Sequence, residues 1–187
     1  MNRKMHGLTL VELMVTIAVA AILYSIAPPL LASFLEASRI SGAADLLVTQ
    51  LHYARTEAIQ QSAPMFVTYS MKDTVNWRMG IHDHSQCDTS LSNPAQPDAC
   101  TIPSSGGRAL TVLDGAQFQG ITASANRNAT RFDPISGTTL GTNVTLSLRS
   151  PGGKEIKVIV SNVGRIRTCS PKTAVAKVTG HPPCPDG

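Results

Sequence analysis

Aromatic residues are scarce in this chain, at 4% of 187 residues with a single tryptophan. No Gly-x-Ser-x-Gly elbow, glycine-rich phosphate loop or His-Glu-x-x-His helix is present, and the histidines lie in polar stretches with no nucleophile beside them. These absences remove the residue sets for acyl transfer, nucleotide hydrolysis and zinc proteolysis, so neither enzyme activity nor a cofactor is expected. None of the four cysteines forms a Cys-x-x-Cys pair. His82, His84 and Cys87 are close in sequence, but with no second cysteine near them they do not match a metal-ligand pattern. There is no internal repeat, and from Leu13 to Leu35 there is no charged residue at all.

That uncharged run is the chain's dominant feature. As a helix, its 23 residues rise about 35 Å at about 1.5 Å each, enough for the roughly 30 Å hydrocarbon core of a bilayer. A basic start (Arg3, Lys4) and Gly7 precede it, and one acid, Glu12, interrupts its beginning. An acid at bilayer depth costs roughly a few kcal/mol and calls for a partner. A free α-amino group at Leu8, produced by cleavage behind Gly7, would supply one from an adjacent subunit. A secretory signal would have a shorter apolar region ending in a small-residue site, and here Pro28 follows the candidate Ser25-Ile26-Ala27.

Beyond the run, the chain is rich in Thr, Ser, Gly and Asn and long enough for one domain with its own core. Pro28-Pro29 is expected to loosen or kink the helix. Helical spacing resumes near Glu36, with Ala43, Leu46, Leu47, Leu51, Ala54, Ala58 and Ile59 forming a stripe that ends before Pro64. The period then drops to two. Met65–Ser70 and Trp77–Ile81 read as a hairpin joined around Lys72–Asn76, with Trp77 in the core. Further strands are predicted at Ala109–Leu113, Ile121–Ala125, Thr130–Asp133, Val144–Arg149 and Glu155–Ser161, the last two joined at Gly152-Gly153. Residues 83–107 read as a long loop. Two short antiparallel sheets resting on the later half of the helix would bury the alternating faces, an α+β architecture.

Charge is distributed unevenly. Leu8–Ser150 holds eight Lys/Arg and ten Asp/Glu, whereas Pro151–Gly187 holds six Lys/Arg and two acids, a net +4 confined to the last 37 residues. Such asymmetry points to a polyanionic partner. Within this tail, Gly164-Arg165-Ile166-Arg167 would place both arginines on one face if extended, and a planar guanidinium suits phosphate oxygens. Lys154, Lys157, Lys172 and Lys177 add charge nearby. Contact would be mainly with phosphates, hence sequence-independent and salt-sensitive; no aromatic interleaves the patch to stack on bases. In an exported domain the cysteines would be oxidised, with three connectivities open. Cys87–Cys100 and Cys169–Cys184 are preferred because each closes a loop of about 15 residues, worth roughly 3 kcal/mol in the chain-entropy model.

The basic leader, Gly7 and Leu8-Thr9-Leu10-Val11-Glu12-Leu13-Met14 with its apolar helix resemble the class III signal of type IV pilins and type II secretion pseudopilins. Ala54–Ile59, Asn76-Trp77 and Gly80 resemble segments of the FimT/GspH minor pilins. One departure is Leu8, where the family more often has Phe. The resemblance implies a leader at residues 1–7, a transmembrane and assembly helix at 8–35, and a periplasmic pilin-like domain at 36–187 with its basic tail at 151–187. It implies cleavage after Gly7 and methylation of Leu8 by a prepilin peptidase, and Glu12-guided assembly with other pilins or pseudopilins from the inner membrane. Gly164, Arg165 and Arg167 resemble the Gly-Arg-x-Arg motif by which FimT proteins bind DNA in natural transformation. The alternative is a GspH-like minor pseudopilin that packs into a type II secretion pseudopilus. Mass spectrometry of the mature chain is expected to find an N-methylated Leu8 at its start; an N-terminus at Pro28 or beyond would mean ordinary secretion.

Overall fold

The computed structural model describes residues 9–175 and 177–185, with the backbone alone for 26–30. One long α-helix, α1, spans Leu10–Gln60. Thr9 precedes it and its hydroxyl accepts from the Glu12 amide at 3.2 Å, satisfying one of the donors a helix start leaves free. The helix carries through Pro28-Pro29, so the expected loosening there does not end it. By contact density the chain divides into two units, Met1–Glu36 and Ala37–Gly187.

In the first unit the large apolar side chains Leu10, Met14, Ile17, Ile22 and Tyr24 are all exposed. Among the described residues no helix is long and apolar enough to cross a membrane. The uncharged run read from the sequence passes through 26–30, whose side chains lie outside that description.

In the second unit the helix buries Ile40, Ala43, Ala44, Leu47, Leu51, Ala54 and Ala58 completely. Their three- and four-residue spacing makes one stripe, and four alanines let sheet backbone come close. Leu46 and Ile59, assigned to the stripe from sequence, lie at its edge and are partly exposed. The helix stops at Gln60, a few residues ahead of Pro64.

Among the described residues eleven strands follow: β1 Met65–Ser70, β2 Lys72–Thr74, β3 Arg78–His82, β4 Thr101–Ser104, β5 Gly107–Leu110, β6 Val112–Asp114, β7 Thr122–Ala125, β8 Ala129–Phe132, β9 Val144–Arg149, β10 Glu155–Val160 and β11 Ile166–Cys169. They form a four-stranded sheet ordered β6-β3-β1-β8, a five-stranded sheet ordered β11-β10-β9-β7-β2, and the small hairpin β4-β5. All the pairings between these strands are antiparallel. The inner faces of both large sheets join the helix stripe in one core, with Val67, Met79, Ile81 and Phe132 from one and Val144, Leu146, Leu148, Ile156, Val158 and Val160 from the other. Trp77 is fully buried and its indole N–H donates to the Ile121 carbonyl at 3.1 Å. This is the α+β, helix-on-two-sheets arrangement expected from the sequence.

Two details differ. The β1–β3 pair exists, but Lys72–Thr74 between its strands is itself a strand that crosses to pair with β7 in the other sheet. The single strand expected over Ala109–Leu113 is split between β5 and β6, which pair with β4 and β3 respectively.

Candidate nucleic-acid interface

The five-stranded sheet has one face in the core and one outside, and β9 and β10 alternate buried and accessible residues along their whole length. Arg167 lies opposite Ile159 on the outer side. The β10–β11 connection, Ser161–Arg165, is a tight turn: the Gly164 amide donates to the Ser161 carbonyl at 2.9 Å, and the Ser161 amide to the Arg165 carbonyl at 3.0 Å. Gly164 has φ +74°. A left-handed glycine closing a turn of this length is a common hairpin solution, and it places Arg165 two residues before Arg167 on the same face.

Gly164 is required for a second reason. A β-carbon there would stand 2.0 Å from the Gly137 carbonyl oxygen. That same oxygen accepts from Arg55 Nε of α1 at 3.0 Å. Thr139, fully buried, donates its amide to the Asn162 carbonyl at 2.9 Å and lies 3.2 Å from the Ser161 carbonyl through its hydroxyl. The arginine-bearing turn is therefore seated on the 133–142 loop, and that loop on the helix.

Arg165 and Arg167 are both exposed, and among the described residues neither makes an ion pair. Glu155 and Asp133 are engaged elsewhere. Glu155 pairs with Arg149 at 3.3 Å. Asp133 accepts from the Ser136 amide and hydroxyl, each at 2.8 Å, and from the Ile135 amide at 3.1 Å. The Ser136 bonds in particular hold its carboxyl below the ordinary range.

The four lysines grouped with this motif do not act as one set. Lys157 is half-buried on the outer face of β10, opposite Ser147 on one side and Cys169 on the other. Lys154 is a correction: it sits in the β9–β10 turn at 7% exposure, so it does not offer its charge to a surface ligand. Lys172 and Lys177 are exposed on the tail, where with Ser170, Val178, His181 and Pro183 they line a cavity of about 310 Å³. The tail is tied down by the Cys169–Cys184 disulfide, by the Ser170 amide to the Pro182 carbonyl at 2.8 Å, and by burial of Val178.

The other disulfide, Cys87–Cys100, closes the long loop. Beside it lies a cluster that sequence reading treated only as a rejected metal set. Asp83 is bonded by Arg108 and lies 2.7 Å from His84 Nδ1. Burial would raise the Asp83 carboxyl, but the Arg108 and His84 bonds outweigh it and hold it at about 2. His82 Nδ1 accepts from the amides of His84 at 3.1 Å and Ser85 at 3.3 Å, and burial lowers its pKa. His82, Asp83 and His84 lie close enough to hold a cation, but the Arg108 guanidinium already occupies that position, and Cys87 is consumed in its disulfide.

Glu12 is exposed in the first turn of α1. Gly7 and Leu8 lie outside the described residues. An exposed apolar helix leading into a helix-on-two-sheets domain defines a pilin-like subunit. A family profile described as Type II transport protein GspH matches residues 43–164, and the prokaryotic N-terminal methylation motif matches residues 2–27. The chain belongs to the GspH family. Its fold resembles the crystal structure of the type IV minor pilin FimU of Pseudomonas aeruginosa strain PAO1, at 21% identity and TM-score 0.51, covering 74% of this chain and 97% of that one. The minor pseudopilin EpsH of the Vibrio cholerae type 2 secretion system aligns at 13% identity and TM-score 0.43, over 71% and 97% of the two chains. No curated protein matches. The family match ends at Gly164, so Arg165, Arg167 and the tail lie beyond it.

Gly164→Ala combines a left-handed backbone with a clash against main chain, and is expected to cost roughly 1–3 kcal/mol. Urea unfolding of the full chain checks it, and parent-like stability would mean that the turn is not seated on Gly137.

Proposed function

We propose that this chain is a minor pilin whose sheet binds DNA through Arg165 and Arg167 and thereby serves DNA uptake in natural transformation. The observation that carries the reading is the pair of exposed guanidinium groups on one strand face with no carboxylate partner among the described residues. Leaving two cations unpaired on a rigid hairpin costs little in water, and it leaves them ready to exchange condensed counterions for phosphates. Gly164 and the bonds beneath it fix their direction, which lowers the ordering cost of binding. The subunit acts by packing and binding; it is not an enzyme.

Its placement follows from the N-terminal motif. Residues 1–7 are the leader, cut after Gly7 by a prepilin peptidase that methylates Leu8. Residues 8–35 anchor the chain once in the inner membrane, with the domain from 36 onward in the periplasm or carried outward on a pilus. Glu12 neutralises the α-amino group of a neighbouring subunit as other pilins assemble around it.

A second reading has one observation in its favour: the family match covers the domain without the arginines. On that reading the chain is a minor pseudopilin with an assembly role in type II secretion. Fluorescence anisotropy with labelled DNA and the full chain in detergent separates the two. Affinity is expected to fall steeply between roughly 50 and 200 mM salt, and Arg165→Gln/Arg167→Gln to flatten the log–log salt slope by about 2 on duplex. Equal binding by parent and variant would remove the site and favour the assembly role.

A further inference from the structure

The outer face of the five-stranded sheet carries more charge than the arginine pair. Strand register gives the position of each residue on that face. Arg165 stands across from Ser161 through the turn bonds, Arg167 opposite Ile159, Lys157 opposite Ser147, and Arg149 opposite Glu155. Each of these four cations therefore sits one outward-facing row beyond the last. The first closes the turn into β11, the second is on β11, the third is one strand over on β10, and the fourth is one further on β9. With about 6.7 Å between outward rows and about 4.8 Å between strands, successive Cα atoms are roughly 7–8 Å apart along a diagonal. That is of the same order as the separation of neighbouring phosphates along one nucleic-acid strand.

Apart from Ile159, which lies between Arg167 and Thr145, the residues flanking the diagonal fit the same ligand. Thr122, Ser124, Thr145, Ser147 and Ser161 on this face are small hydroxyl residues that let a chain lie close and can donate to phosphate oxygens. No aromatic residue stands among these positions to stack a base. Among the positions named on β7, β9, β10 and β11 the acid is Glu155, paired with Arg149 at the far end of the line; the Arg149 side chain is 58% exposed and that of Glu155 13%. Because the Glu155 carboxylate is mostly covered, the pair is more than a surface ion pair, and an incoming phosphate has to compete with Glu155 for Arg149. Lys157 has no ion pair among the described residues. Cys169, next after Arg167 on that face, is covered by the tail, which bounds the line on one side.

We infer that Arg165, Arg167, Lys157 and Arg149 form a diagonal track for about four successive phosphates of one nucleic-acid strand, read without its bases, with Glu155 limiting affinity at its far end. This rests on the DNA-binding reading above and gives it a site size, a direction and two further contact residues.

The test uses the full chain in detergent and oligothymidylates of about two to ten nucleotides, in fluorescence anisotropy across a salt series. Affinity is expected to climb until about four or five phosphates are present and only slowly thereafter. Lys157→Gln and Arg149→Gln are each expected to weaken binding severalfold at low salt and to reduce the salt slope by about 0.7. Glu155→Gln is expected to tighten binding by about threefold or more, a gain that damage to the fold cannot mimic. An abasic strand of the same length should bind as well as oligothymidylate. If Lys157→Gln, Arg149→Gln and Glu155→Gln all bind like the parent while Arg165→Gln/Arg167→Gln is impaired, the track is wrong and the two-arginine site stands. If that last variant also binds like the parent, the DNA reading itself falls.

Discussion

Burial of one helix stripe fixes most of this domain. Ile40, Leu47 and Leu51 are completely enclosed, and at roughly 1.5–3 kcal/mol for each large aliphatic side chain taken from water they are a substantial share of a domain's net stability. Because the stripe must be covered, both large sheets turn their apolar alternation towards it. Once Leu146, Leu148, Ile156 and Val158 are committed inward, the residues between them have only the outer face left. Period two then puts Arg149 and Lys157 on the outside, where β11 and the turn before it add Arg167 and Arg165. The charged face is thus a consequence of the core.

An edge strand carrying charge has a simpler explanation, since cations on β11 would deter pairing with another sheet. That accounts for Arg165 and Arg167 but not for Lys157 and Arg149, which lie on interior strands of the sheet. Nor does it account for the turn's construction. Gly164 against Gly137, with Arg55 reaching from the helix to the same carbonyl, gives the arginines a fixed base that edge protection does not need.

How much was legible in the sequence followed the range of the forces involved. Val144–Arg149 could be read to the residue because hydrophobic alternation is a local signal, and Trp77 because a lone tryptophan beside a strand is seldom left in water. Lys72–Thr74 could not, since its three residues are all exposed and are strand only because β7 lies alongside. Lys154 was misread as a surface charge because composition does not reveal which turn residue the fold covers. Arg55, Gly137 and Gly164 meet from three distant parts of the chain, and two glycines with positive φ leave no periodic trace. In the candidate site, the two arginines were singled out by their spacing together with the resemblance to the Gly-Arg-x-Arg motif. Arg149 became visible as a member only with the β9–β10 register.

Nucleic acid is proposed to lie on the outer face of β9–β11. Photo-crosslinking the full chain to a thiouridine-bearing oligonucleotide, followed by peptide mass mapping, tests that directly. Adducts are predicted in peptides spanning 144–149, 155–161 and 165–168, and crosslinking should fade as salt rises. Adducts confined to the four-stranded sheet or to the 83–107 loop, with the β9–β11 peptides unmodified, would contradict it.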